Sequence, residues 1–403
     1  MRRVSLALLS VLLGGALFGT RANQARPAQE LQIYFIDTEG GQATLFVAPS
    51  GESALVDAGN PGGRDTDRIM LALQDAGVRQ IDHVVITHYH GDHIGGLEAL
   101  AGRIPIKHFY DHGDNVDARE QAPGFQAWYR AYYPAQKIPH TVAVPGDRIQ
   151  IAGLDWRIVT AAGKAIQTAL AGAPGAGRAN PECAAFAPKA NNGDENGQST
   201  GSVIAFGKFR MIDLGDLYWN NEFDLACPNN KIGTVDVYLT THHGLDWSGA
   251  PALVHALQPR VVIQNNGPRK GGYKETFKTV YSSPGLEDLW QLHWAEYGTA
   301  EYNPPGMFIA NLSPTERMTT VLTTPLPDPG PQRVGGAAPA AAAQPAPPLG
   351  QPPVAPRGAG FGADPNAAHT PAFWIKVVAH ADGGFSVTNA RNSFAKTYAP
   401  RAK

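Results

Sequence analysis

The run Val84-Val85-Ile86-Thr87-His88-Tyr89-His90-Gly91-Asp92-His93 sets three imidazoles and one carboxylate within six positions, directly behind an apolar segment. A strand over 81–87 that ends here delivers four ligating groups from one turn. Imidazole nitrogen and carboxylate oxygen are the donors that Zn²⁺ and similar borderline cations prefer. A solvated histidine-rich turn is the plain alternative. It does not explain why the donors follow an almost wholly apolar strand, the kind that is covered on both faces. The stretch is read as a metal-binding turn at the end of a buried strand.

Outward from that turn the chain alternates strands and helices. Segments 31–37, 43–48 and 53–57 read as short strands separated by Gly-rich or Ser-Gly turns. Residues 65–76 carry Ile69, Leu73 and Ala76 at helical spacing, with an acidic first turn and Gly77 as the stop signal. A helix is expected over 95–101 and an aromatic-rich one over 124–133. Hairpins are expected over 148–160 and 202–214, with 161–200 between them as loop. Segments 235–241, 251–257 and 261–265 repeat strand, helix, strand, which makes the class α/β. A main domain is expected over 29–325. Residues 326–371 are rich in Pro, Ala and Gly with almost no charge and read as a disordered insertion. Strands over 373–379 and 385–388 then place 372–400 back on the domain.

The 403 residues are 43% hydrophobic with a net charge of −2, which suits a globular core and gives no overall field for nucleic acid or anionic lipid. Arg2 and Arg3 precede an uncharged apolar stretch over 4–18. That is the pattern of a secretory signal peptide, here 1–25 with cleavage after Ala22 or Ala25. No Cys follows the apolar stretch at a lipoprotein position, and no other segment reads as membrane-spanning. The expected location is secreted or periplasmic. The two cysteines, Cys183 and Cys227, are not spaced as C-x-x-C, so they form one disulfide or stay free.

At this point the motifs resemble those of the metallo-β-lactamase superfamily. His88-x-His90-x-Asp92-His93 is similar to its signature. Asp57-Ala58-Gly59 resembles its D-x-G turn, Ile212-Asp213-Leu214-Gly215-Asp216 its later Gly-Asp motif, and Thr241-His242-His243-Gly244 its last histidine motif. They occur in family order within 31–312. Gly40-Gly41-Gln42-Ala43-Thr44-Leu45 and the His-His-Gly ending look most like exported ComEC-type competence proteins. The resemblance implies a four-layer αβ/βα sandwich, with two mixed sheets face to face and helices outside. It implies that His88 and His90 hold one metal and that Asp92 and His93 hold a second. Asp216 would lie between them and His243 would complete the second position. His242 would stand behind the ligands or touch substrate, and Asp92 would orient the attacking water and carry its proton. The family's middle motif often supplies another histidine. Here Gly197-Gln198-Ser199-Thr200-Gly201-Ser202 puts Gln198 in that place, a weaker neutral donor. Asn191, Asn192 and Asn196 are the substitutes if the gap is placed differently. The cofactor implied is Zn²⁺, two ions, or Mn²⁺ if the first position is loose.

Softer candidates remain. Asp57 and Asp213 read as residues that orient ligands or cap turns. Arg269 and Lys270, in a Gly-rich turn after a strand, read as a grip for phosphate or carboxylate, or as a solvated basic loop. His293 sits among apolar aromatics and reads as a core histidine. Three functions follow: an exported metal-dependent hydrolase of phosphoesters or phosphodiesters, a lactonase or β-lactamase acting on carbonyl substrates, and a non-catalytic binding protein on the same scaffold. A nucleic-acid substrate fits the first, although the near-neutral charge does not support it. Oligomeric state is not legible.

Overall fold

Leu31, Ile33 and Phe35 point one way from β1 (Glu30–Phe35) and Tyr34 the other, and all four are buried. A strand covered on both faces belongs inside a layered structure. The computed structural model describes residues 30–190, 193–312 and 371–402. The leader expected over 1–25, and 326–370 of the expected insertion, lie outside the described residues.

Among the described residues the first sheet also contains β2 (Thr44–Val47), β3 (Ser53–Val56), β4 (His83–Val85), β5 (Phe109–Asp111) and β6 (His140–Val142). The second contains β7 (Arg148–Ile149), β8 (Asp155–Ala161), β9 (Lys164–Ala165), β10 (Gly201–Phe206) and β11 (Phe209–Asp213). It continues through β12 (Val237–Leu239), β13 (Val261–Gln264), β14 (Asp288–His293) and β15 (Ile309–Asn311). The chain then returns to the first sheet as β16 (Ile375–His380), β17 (Phe385–Asn389) and β18 (Ala395–Tyr398). Strand order is β18-β17-β16-β1-β2-β3-β4-β5-β6 in one sheet and β15-β14-β13-β12-β11-β10-β8-β7 in the other, with β9 beside β8. Both sheets are mixed: β3 to β6 run parallel, as do β11 to β15, and the other neighbours are antiparallel.

The core lies between the sheets. Ile33, Phe35, Phe46, Ile375 and Val377 meet Trp156, Ile204, Met211, Val237 and Trp290 there. The Phe46 and Trp156 rings sit edge to face at 4.8 Å. Each such side chain stabilises the fold by roughly 1.5–3 kcal/mol relative to exposure. Outside the first sheet, α1 (Arg64–Asp75), α3 (Leu97–Ala101) and α4 (Phe125–Ala135) bury Ile69, Leu73, Leu100 and Phe125 against Leu45, Leu55 and Val84. Outside the second, α5 (Trp219–Ala226), α6 (Pro251–Leu257) and α7 (Lys274–Tyr281) bury Leu225, Leu253 and Val280 against Val203, Ile212 and Val262. The result is the αβ/βα sandwich. Cys183 and Cys227 form a disulfide, with Cα atoms 5.8 Å apart, that ties the turn Pro181–Ala185 to the end of α5. Among the described residues no helix is long and apolar enough to cross a membrane.

Two local readings differ from the sequence expectation. The helix expected from Gly95 starts earlier, as α2 (Gly91–Ile94), with His90 as its extended N-cap. Asp92 and His93 therefore ride on the first helical turn. The chain breaks before α3 because Gly95 and Gly96 press on Pro61 and the Ala58 carbonyl, where a Cβ would stand 2.3 and 2.2 Å away. The expected loop 161–200 holds the short β9 and turns at Pro181–Ala185 and Glu195–Gln198.

Candidate metal centre

Loops leaving the C-terminal ends of β3, β4, β11, β12 and β13 converge on one point, the place where open α/β sheets collect functional groups. They bring Asp57, the His88–His93 turn, Asp216, the His242–His243 pair and Lys270. The ligand atoms of Asp92, His93, Asp216 and His243 all lie within 4.8 Å of one another. Asp216 is the hub. Its Oδ2 is 3.3 Å from His93 Nε2, 3.3 Å from His243 Nε2, 3.4 Å from His242 Nε2 and 4.0 Å from His88 Nε2. Asp92 Oδ2 is 3.5 Å from His93 Nε2 and 3.4 Å from His243 Nε2.

The imidazoles are held from behind. His93 Nδ1 donates to Asp57 Oδ2 at 2.7 Å, and His243 Nδ1 to the Asn265 carbonyl at 3.2 Å. Thr87 spends its one hydroxyl proton on Asp57 Oδ2, at 2.6 Å, so it accepts from His88 Nδ1 at 3.0 Å. Each anchor holds its ring with Nε2 turned toward Asp216, which is how metal-binding histidines are oriented. Backbone fit supports the same arrangement. Gly41 packs on the Asp92 carbonyl, where a Cβ would lie at 2.2 Å. Gly271, at φ +81°, packs on the His243 carbonyl, where a Cβ would lie at 2.0 Å.

These atoms fit a cation and little else. His88 Nε2, His93 Nε2, His243 Nε2 and Asp216 Oδ1 are buried without a hydrogen-bond partner. Buried polar atoms left so are costly, about 1–3 kcal/mol each. Burial works to raise the Asp216 carboxyl, but His243, His242 and His93 outweigh it and hold it well below the carboxylate range. Burial likewise opposes ionisation of Asp92, where Lys270 and His93 prevail. Burial also disfavours charge on His93, yet Asp216, Asp92 and Asp57 hold it well above its ordinary value. The cluster demands positive charge at its centre, which a divalent metal supplies.

The remaining expected residues fall as follows. His90 lies beside His88, ring centroids 4.6 Å apart, but its Nε2 is 3.1 Å from Asp117 Oδ2, so Nδ1 is the nitrogen left for a metal. Gln198 does not take a ligand's place. Its amide lies against Gly163 in the turn between β8 and β9 and makes no hydrogen bond to the imidazoles. The Glu195–Gln198 turn directs it there. Asn196 donates to the Tyr218 hydroxyl, and Asn191 and Asn192 lie outside the described residues. Asp213 accepts from Gln42 and from the Gly215 amide, fixing the turn that aims Asp216. Arg269 is exposed and pairs with Glu296 at 2.9 Å. Lys270 instead bonds Asp92 Oδ2 directly, at the rim of the cluster. His293 is buried against Asp37. Sequence reasoning missed Asp117 and Glu195. The Glu195 carboxylate accepts from His112 Nε2, Tyr89 N and Val116 N and so clamps the metal turn from behind. Both lie far along the chain in irregular loops, where no periodicity marks them.

Asp57 gives a direct check. Asp57→Ala removes the acceptor of His93 Nδ1 and of Thr87 N and Oγ1. Metal affinity, measured against a chromophoric chelator, is expected to fall about 10–100-fold, with the far-UV spectrum retained. Unaltered affinity would remove Asp57 from this role.

Residues 37–165 match the model of the metallo-beta-lactamase superfamily. The competence protein ComA of Neisseria gonorrhoeae is 23% identical over 257 residues, covering 64% of this chain and 30% of that protein. A hydroxyacylglutathione hydrolase of Stenotrophomonas maltophilia is 38% identical over 61 residues, covering 15% of this chain and 21% of that one. The chain thus spans less than a third of either relative's length. Among solved structures, the metallo-beta-lactamase fold protein YhfI from Bacillus subtilis aligns with a TM-score of 0.40 and 12% identity, over 65% of this chain and 96% of that one.

Proposed function

We propose that this chain, which belongs to the metallo-β-lactamase superfamily and resembles its ComEC-type competence proteins, is an exported metal-dependent hydrolase of phosphoesters or phosphodiesters. The observation that carries the reading is the ring of four imidazole nitrogens 3.3–4.0 Å from one Asp216 oxygen. A bound divalent cation supplies Lewis acidity, making a water nucleophilic near neutral pH and drawing charge from a phosphoryl or carbonyl oxygen. Zinc is the expected metal, with manganese the alternative.

The chain's own groups supply the rest. Asp216 and the imidazoles fix the position of the charge. Asp92, half inside the cluster and bonded to Lys270, orients the attacking water and takes its proton. Lys270 presents an ammonium at the rim, where it can neutralise a phosphoryl oxygen. This favours an anionic ester over a neutral one. Export is supported by the leader pattern over 1–25 and by the Cys183–Cys227 disulfide. Similarity to a hydroxyacylglutathione hydrolase favours the second reading, hydrolysis at a carbonyl.

The test is metal analysis of the purified chain followed by a panel of bis(4-nitrophenyl) phosphate, an aryl acetate, a lactone and a β-lactam. Turnover of the phosphodiester is expected, lost in chelator and restored by Zn²⁺ or Mn²⁺. Turnover of carbonyl substrates alone would replace this reading with the second. A chain that binds no metal and is unaffected by chelator would be a binding protein.

A further inference from the structure

We propose that His242 is a metal ligand, the third imidazole of a cation position formed with His88 and His90 that shares Asp216 with the position of Asp92, His93 and His243. The assignment rests on the metal-dependent reading above and goes beyond it. It moves His242 from substrate contact into the metal shell and takes Gln198 out of it.

Three observations carry it. The first is the tautomer. Ser248 Oγ donates its one proton to the Leu217 carbonyl at 2.8 Å, so toward His242 Nδ1, 3.4 Å away, it can only accept. Nδ1 of His242 therefore carries the hydrogen, and Nε2 presents a bare lone pair. The second is what that lone pair faces. His242 is 4% exposed, and its Nε2 points at the Asp216 carboxylate across 3.4 Å. Two acceptors facing each other in a buried site repel unless a cation lies between them. His243 stands the same way toward the same oxygen, at 3.3 Å.

The third observation is the backbone. His242 (φ 54°, ψ 44°) and His243 (φ 57°, ψ 12°) are consecutive left-handed residues. A non-glycine residue held there is strained. A single left-handed residue would suffice to turn the chain. Two in succession swing adjacent imidazoles onto one carboxylate, which the β12 strand direction alone would send to opposite sides. The strain is explained if both side chains ligate. Meanwhile Gln198 rests on Gly163, and His88 Nε2, 4.0 Å from the same Asp216 oxygen, shares that carboxylate with His242 Nε2 at 3.4 Å.

The test uses the full chain and the metal alone. Wild type, H242N and Q198A are loaded with Zn²⁺ or Co²⁺ and exchanged into metal-free buffer. Bound metal is counted by elemental analysis, and affinity is read by competition with a chromophoric chelator. Asn is chosen because it tolerates the left-handed backbone better than other residues. Wild type and Q198A are expected to hold two ions. H242N is expected to keep one and to bind the second at least about 100-fold more weakly, the upper end for loss of even an orienting partner. With Co²⁺, half of the visible absorption should disappear in H242N. If H242N keeps two ions at wild-type affinity, or Q198A loses one, the assignment is wrong while the hydrolase reading stands. If wild type itself binds no metal, both are overturned.

Discussion

Asp216→Asn is expected to leave the sandwich folded, to reduce bound metal below one ion per chain, and to lower phosphodiester turnover by about three orders of magnitude, the upper scale for losing a principal charge stabiliser. The size follows from the number of groups that depend on one carboxylate. Four imidazole nitrogens face its Oδ2, and its Oδ1 has no protein partner. Asn keeps the volume and the Ser199 hydroxyl's contact with the backbone amide, at 3.2 Å, so the local turn should survive. What it loses is the negative charge, and with it the anion around which the four imidazoles would hold metal. Wild type should also melt lower in chelator than in Zn²⁺, because metal binds only the assembled cluster. The variant should show little of that shift. Retained metal and retained turnover would show that Asp216 is not the bridge.

The part of the site carried by consecutive residues is legible in the amino-acid sequence itself. His88 to His93 follow one strand, and their spacing holds in any fold that ends the strand there. Asp216 and the His242–His243 pair are legible because each also follows a strand, β11 and β12. The place of Gln198 is not. A position counted along an irregular stretch such as 193–200 says nothing of where the side chain points, and a short turn aims it at Gly163. The Arg269–Glu296 pair is not legible either, because the two lie 27 residues apart and meet only through tertiary structure. The short strands β5, β6 and β15 carry three residues each, too few to show a period. The α5 sequence Trp219-Asn220-Asn221-Glu222 gives no helical stripe, yet Glu222 caps the Gly249 and Ala250 amides from inside it. The insertion of β16 beside β1 joins positions 340 or more apart, and no local pattern encodes such pairing.

Arg68→Met is expected to cost about 3–5 kcal/mol, the scale for stranding one partner of a buried ion pair. Asp37 follows β1 in the first sheet and is 1% exposed. Its Oδ2 meets Arg68 Nη1 of α1 at 2.9 Å, and its Oδ1 meets His293 Nε2 at the end of β14 in the second sheet, at 2.5 Å. Arg68 also reaches Glu39 at 3.0 Å. Asp37, Glu39 and His293 could by geometry surround a metal, but the guanidinium already supplies their positive charge. The cluster also holds the 37–42 loop, whose Gln42 amide donates to the Asp92 carbonyl at 3.1 Å, so both sheets and the metal turn share this anchor. The pH dependence follows from the sign of the shift. Burial opposes ionisation of Asp37, but Arg68 and His293 prevail and hold it well below its ordinary value. The pair therefore contributes its full stability above the unfolded value near pH 4, and loses it as pH falls toward the folded one. In Arg68→Met the carboxyl moves upward, so protonation relieves the stranded charge. The deficit, read by urea denaturation, should be largest near pH 7 and should narrow toward pH 4. Adding Asp37→Asn should recover part of it at pH 7, since the stranded Asp37 charge is then removed. A deficit below about 1 kcal/mol, or one flat across this range, would mean that the two sheets are not joined through this charge.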